Sequence, residues 1–156
     1  MAIRQCVPLL VGFALAHAAH AQDVPRSVTP ETLAKYWVLI ESTLEASVPL
    51  GGKGMDQPGC ATVSFVVERN GKASHIKVQK VVPPGDLGSV AASAVASLEL
   101  EPTIVNAGRD RVFSSLIFPF NLPPDPAARK EVMQRCVIEP LRWSDPAART
   151  DAKPAS

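Results

Sequence analysis

Few residues of this chain are placed to do acid–base, nucleophilic or metal chemistry. Of its histidines, His17 and His20 fall in an apolar amino-terminal stretch, and only His75 lies in the body of the sequence. One imidazole cannot assemble a three-histidine metal site, and a histidine-based triad would rest on a residue that alternation places on the water-facing side of a strand. The sequence contains no G-x-S-x-G, H-E-x-x-H, phosphate-loop or dinucleotide-binding pattern. Glu99 and Glu101 flank the end of a helix, where two carboxylates are expected to face water rather than to share a proton. No enzymatic activity, cofactor, metal ion or small-molecule substrate is therefore expected. Two chemistries are left: the thiols of Cys60 and Cys136, and the main-chain amides of any strand with an open edge.

The compartment decides how the thiols read. Arg4 precedes the apolar run Cys6 to Ala16, and Ala19-His20-Ala21 stands ahead of Gln22. This is the charged, apolar and small-residue order of a secretory leader over residues 1–21, with cleavage expected after Ala21 and the mature chain in the periplasm. The alternative is an inner-membrane anchor facing the periplasm, but a span needs about 20 apolar residues and this run is shorter. Losing Arg4 takes one of the 16 Lys and Arg residues and leaves them equal to the 15 Asp and Glu. A neutral chain without a basic run lacks the electrostatic footprint for nucleic acid or an anionic membrane surface, so both are excluded as partners. With Cys6 gone, Cys60 and Cys136 form an even pair in an oxidising compartment, where a disulfide is expected; two buried free thiols are the alternative. Closing that loop would contribute roughly 4.5 kcal/mol in the chain-entropy description.

The elements that carry these residues follow from periodicity and turn chemistry. Residues 22–58 read as a linker and a helix: Thr29-Pro30-Glu31 has a cap, a first-turn proline and an early acidic group, and Leu33, Trp37, Ile40 and Leu44 share one face of a helix running to about Ala46. Val48 to Gly59 is too rich in Gly and Pro to be anything but loop. From Ala61 to Glu68, Val63, Phe65 and Val67 alternate with Thr62, Ser64 and Val66 as in a half-buried strand. Asn70-Gly71 predicts a two-residue hairpin turn with positive φ at both positions, returning a strand from Ala73 to about Val81 with Ile76 and Val78 inward and His75, Lys77 and Gln79 outward. Asp86 is placed to cap a helix whose stripe is Leu87, Val90, Ala91, Ala94, Val95 and Leu98, and Pro102 prevents its continuation.

A last strand over residues 111–120 sets Val112, Leu116, Phe118 and Phe120 against Phe113, Ser115 and Ile117. Pro119 within it marks a candidate sheet edge, because proline cannot serve a central ladder. The extension 124–156 repeats Asp-Pro-Ala-Ala-Arg at Asp125 and Asp145. Only the first copy precedes an apolar stripe (Val132, Met133, Cys136, Val137), so a short helix there is expected to bring Cys136 to Cys60; the end from about Thr150 is expected to be disordered.

Residues 59–123, in the order strand, Asn-Gly hairpin, strand, helix, proline step, glycine turn and strand, resemble the TonB C-terminal domain family. The resemblance is carried by Gly59 to Val67, Asn70-Gly71, Ile76-Lys77-Val78, Leu87 to Leu98, Leu100-Glu101-Pro102, and Gly108 followed by Val112 to Leu122. It implies an α+β fold in which a three-stranded antiparallel sheet packs against helices, here with an extra amino-terminal helix and the helical extension. It also implies a last strand, Val112, Phe113, Ser114, Ser115, Leu116, Ile117 and Phe118, that pairs with an extended peptide of an envelope protein or TonB-dependent outer-membrane transporter, in energy-coupled transport. The alternative is a structural or assembly module of the periplasm with no transducing role, including a homodimer formed through the same edge.

Overall fold

The computed structural model describes residues 24–40, 45–49 and 52–144. The leader over residues 1–21, Leu44, and the chain end with the second Asp-Pro-Ala-Ala-Arg phrase lie outside those residues. In chain order the elements are β1 (Arg26–Ser27), α1 (Pro30–Tyr36), β2 (Trp37–Leu39), β3 (Gly59–Val67), β4 (Ala73–Val82), α2 (Leu87–Ser97), β5 (Leu100–Pro102), a single 3-10 turn (Ile104–Asn106), β6 (Val112–Phe120) and α3 (Pro126–Gln134). One sheet has the order β1-β6-β3-β4 and a second, two-stranded sheet pairs β2 with β5.

The fold is α+β, but its main sheet is four-stranded and mixed rather than three-stranded and antiparallel. β3 pairs antiparallel with β4 and along its whole length with β6, Gly59 opposite Phe120 and Val67 opposite Val112. The added strand is β1, which lies parallel to β6 with Arg26 opposite Val112 and Ser27 opposite Phe113. Two residues after Pro25 carry no period, so this segment reads as linker until its partner, more than eighty residues on, is in place.

β3 is buried over all nine residues. Its alternation is genuine: Ala61, Val63, Phe65 and Val67 join Leu33, Trp37, Ala91, Val95, Leu98, Leu100 and Val112 in one core on the helical face. Cys60, Thr62, Ser64 and Val66 are buried as well, which the pattern of a half-buried strand does not foresee. Their cover is the carboxy-terminal extension. Cys60 and Cys136 are disulfide-bonded with Cα atoms 6.0 Å apart, and the Thr62 hydroxyl donates to the Cys136 carbonyl. Beyond Cys136 the chain crosses this second face until Trp143 meets His75 and Phe113 edge-on, at 5.1 and 5.5 Å between ring centres, and the Trp143 N–H donates to Ser27 Oγ.

Three local expectations need correction. The first helix ends at Tyr36, not near Ala46: Trp37, Val38 and Leu39 suit an extended chain, and pairing with Pro102, Glu101 and Leu100 wins over the helical stripe. Leu33 and Trp37 do reach the core, whereas Val38 and Leu39 are exposed. At the Asn70-Gly71 turn only Gly71 has positive φ, at 80°. The Gly71 N–H bonds the Glu68 carbonyl and the Glu68 N–H bonds the Lys72 carbonyl, so the connection has one more residue than a two-residue turn and places glycine at the left-handed position. Asp86 makes no side-chain cap on α2; its carboxylate accepts instead from the Lys53 N–H at 2.8 Å and ties down the loop before β3. The serines on the outer side of α2 also hold a loop: Ser93 Oγ accepts from the Ser47 N–H and Ser97 Oγ from the Glu45 N–H, both at 2.9 Å.

Candidate functional site at the sheet edge

A sheet offers ligands its edges, and the two outer strands here are treated differently. β4 is one edge. Its pairing with β3 shifts register twice, between Thr62 and Val63 and between Ser64 and Val66, and it carries exposed Lys77 and Lys80. Bulges and lysines are the usual means by which an edge resists an added strand. β4 is therefore a guarded edge, and His75 on it is taken up by its neighbours: Nδ1 lies 2.9 Å from Ser74 Oγ, and the ring rests against Trp143.

β6 differs along its length. On its outer side, the Arg26 N–H donates to the Arg111 carbonyl and the Val28 N–H to the Phe113 carbonyl, both at 2.9 Å. The expected edge is thus occupied at Val112 and Phe113, and Ser114 is buried with its hydroxyl donating to the Val28 carbonyl. β1 ends there because the chain turns into α1 at Pro30. Among the described residues no strand pairs with the outer side of β6 beyond Phe113.

Which groups that open part presents follows from alternation. Arg111 and Phe113 turn their carbonyls outward, so odd-numbered residues of β6 point their main-chain groups away from β3. Ser115 and Ile117 accordingly present N–H and C=O outward, and at Pro119 only the carbonyl is presented. Proline is tolerated here because the N–H it lacks is not one the β3 ladder uses. No charged side chain occurs from Val112 to Phe120, in contrast to β4. Leu116 and Phe118 pack on the helical core, while Ser115 and Ile117 face the extension.

Beside this open stretch lies a cleft of about 210 Å³. Its walls are the segment from Val28 to Glu31, the strand residues Ser115 and Ile117, and the extension from Val137 to Leu141. Sequence reasoning missed both flanking walls. The first looked like linker and helix start, and the second follows from where the disulfide sets down the chain after Cys136, which no local pattern reports.

The closed end of β6 is fixed by an ion pair. Arg111 reaches the Glu68 carboxylate through Nε at 2.6 Å and a terminal guanidinium nitrogen at 2.8 Å, and Ser74 donates to the same carboxylate. Hydrogen bonding from Arg111 first, against the opposing effect of burial, and then from Ser74, lowers the Glu68 pKa below its ordinary value. A carboxylate depressed in the folded state contributes stability above its unfolded pKa, near 4.5, and loses it as pH falls through the folded value. Glu68→Gln is therefore expected to cost about 1 kcal/mol at neutral pH, less than a dry pair would, because water screens the partly exposed carboxylate. In urea melts the difference between parent and variant should shrink below pH 4.5; a difference unchanged down to pH 2.5 would show the pair to be inert.

Among the described residues no group of His, Cys, Asp and Glu is arranged to hold a metal ion, and no helix is long and apolar enough to cross a membrane. No family model and no curated protein matches the chain. The chain is similar to the TonB CTD of Pseudomonas aeruginosa, solved by solution NMR, at 16% identity over 64% of this chain and 97% of that one, with a TM-score of 0.40.

Proposed function

We propose that this chain is a periplasmic binding module that takes up an extended segment of an envelope or outer-membrane transport protein as an added strand along Ser115, Ile117 and Pro119, in energy-coupled transport. The observation that supports this reading is the half-closed edge of β6. Main-chain groups of β6 are satisfied by β1 as far as Phe113, and the next two outward-facing residues present their amides beside a cleft, on a strand that itself carries no charged side chain. Strand addition draws its affinity from such main-chain groups and its specificity from pockets for alternate side chains. The guarded edge of β4 points the same way, since a sheet that protects one edge and not the other has one edge to offer. No catalytic role is proposed.

Titration of the isotope-labelled chain with a synthetic TonB-box peptide of an outer-membrane transporter tests this. Ser115 and Ile117 amides are expected to shift, and β4 amides are not. Ile117→Pro removes an outward N–H that no ladder bond uses and should weaken binding at least about tenfold while the sheet still forms, as Pro119 already does in the same strand. Ile117→Ala keeps the N–H and should bind nearly as the parent does. Unaltered binding by Ile117→Pro, or shifts confined to β4, would refute the proposal. A chain that sediments as a dimer and loses dimerisation on the same substitution would favour the structural module instead.

A further inference from the structure

The cleft beside Ser115 and Ile117 is small and largely apolar. At about 210 Å³ it is smaller than the 300 Å³ or more typical of small-molecule sites. That volume suits one side chain of an apolar residue. The surfaces it would meet are Val28, Pro30, Ile117, Val137, Ile138 and Leu141. Its lining also includes two acidic residues, Glu31 from the segment that opens α1 and Glu139 from the extension, both exposed, and no basic one. No basic side chain lines the cleft itself: Lys80 Nζ reaches the carbonyl of the wall residue Val137 at 3.5 Å, and Arg142 lines the adjoining clefts with Trp143.

From this we infer that the occupant is an extended peptide with an apolar side chain seated in the cleft and Lys or Arg two residues to either side of it. The inference rests on the proposed pairing with the β6 edge. In a strand, residues at i−2, i and i+2 project to the same face. A peptide paired with Ser115 and Ile117 that turns its central side chain into the cleft therefore projects its second neighbours on the same side, the side on which Glu31 and Glu139 line the cleft. These carboxylates favour cations there and disfavour acidic residues, because like charges brought together across an interface discriminate strongly between partners. Burying the central side chain supplies the apolar contact, and the main-chain pairing sets the register.

The test uses the full chain and three pentapeptides: Lys-Val-Leu-Val-Lys, Glu-Val-Leu-Val-Glu, and Lys-Val-Gly-Val-Lys. At low salt the first is expected to bind about tenfold tighter than the second, with an advantage that falls as salt is raised. The glycine peptide should bind several-fold more weakly than the first, for want of the buried side chain. In Glu31→Gln/Glu139→Gln, two exposed changes that leave the strand edge intact, the preference for lysine should largely vanish while the leucine preference stays. Equal binding of the lysine and glutamate peptides, with Ser115 and Ile117 amides shifting for both, would overturn this inference and leave the edge pairing standing. No shift at Ser115 and Ile117 with any peptide, the TonB-box peptide included, would overturn both.

Discussion

Replacing the cystine by alanine, in Cys60→Ala/Cys136→Ala, is expected to lower the stability of the chain by about 4.5 kcal/mol, the loop-closure contribution of a bond spanning 76 residues. Little else holds this part of the chain to the sheet. α3 buries no residue, and the contacts of the extension with the sheet are a few hydrogen bonds near Cys136 and the indole of Trp143. Without the bond, the extension has a local way to leave. Val66, Thr62 and Ser64 would then meet water, and the Val137 to Leu141 wall of the cleft would go with it. Urea melts of the parent with and without reductant give the measurement: the reduced parent should unfold close to the double variant, well below the oxidised parent. Amide exchange should speed up first in α3 and residues 136–144, and β3 should keep its protection on the α2 side. Oxidised and reduced melts that coincide would show that non-covalent packing alone seats the extension.

The same geography explains what the sequence could and could not tell. The β3 alternation, the α2 stripe and the Asp125 cap are local, with periods or pairings inside a dozen residues, and each appears where its pattern puts it. Asp125 accepts from the Ala128 N–H at 2.7 Å, as an Asp before Pro should. Local evidence fails where two readings satisfy the same residues. Leu33 and Trp37 fit one helical face, but Trp37 is also the first residue of β2, and only Leu100–Pro102 decides between them. It fails again where the partner is distant. Nothing near Val66 shows that a bond to Cys136 will cover its face, and nothing in Arg26-Ser27 shows that they close the first third of the β6 edge. Pro119 was the one edge signal readable in advance; it marks the open stretch and carries no information about the closed one.

Gly71→Ala is expected to be the most damaging single methyl in the described fold. The residue has φ of +80°, where a Cβ costs about 1–2 kcal/mol, and a Cβ built there would stand 2.0 Å from the Leu100 carbonyl oxygen. Backbone is not a flexible neighbour. Moving it strains a junction at which the Leu100 N–H donates to the Gly71 carbonyl at 2.9 Å, Lys72 bridges to Glu99, and the Lys72 ammonium pairs with the Glu99 carboxylate. This junction ties the β3–β4 hairpin to β5, and β5 in turn holds β2 and the buried Trp37. The total loss should be about 3–5 kcal/mol, in the range reserved for mutations that combine backbone strain with broken packing. Gly108→Ala is the control. Its φ is ordinary, and its added Cβ would meet nothing closer than Asp110 Oδ1 at 3.7 Å, so it should lie within about 0.5 kcal/mol of the parent. Chemical denaturation of the two variants side by side separates the effects: similar midpoints would mean that the hairpin relaxes away from β5 at no cost, and that the two sheets are less firmly joined than the Leu100 contact requires.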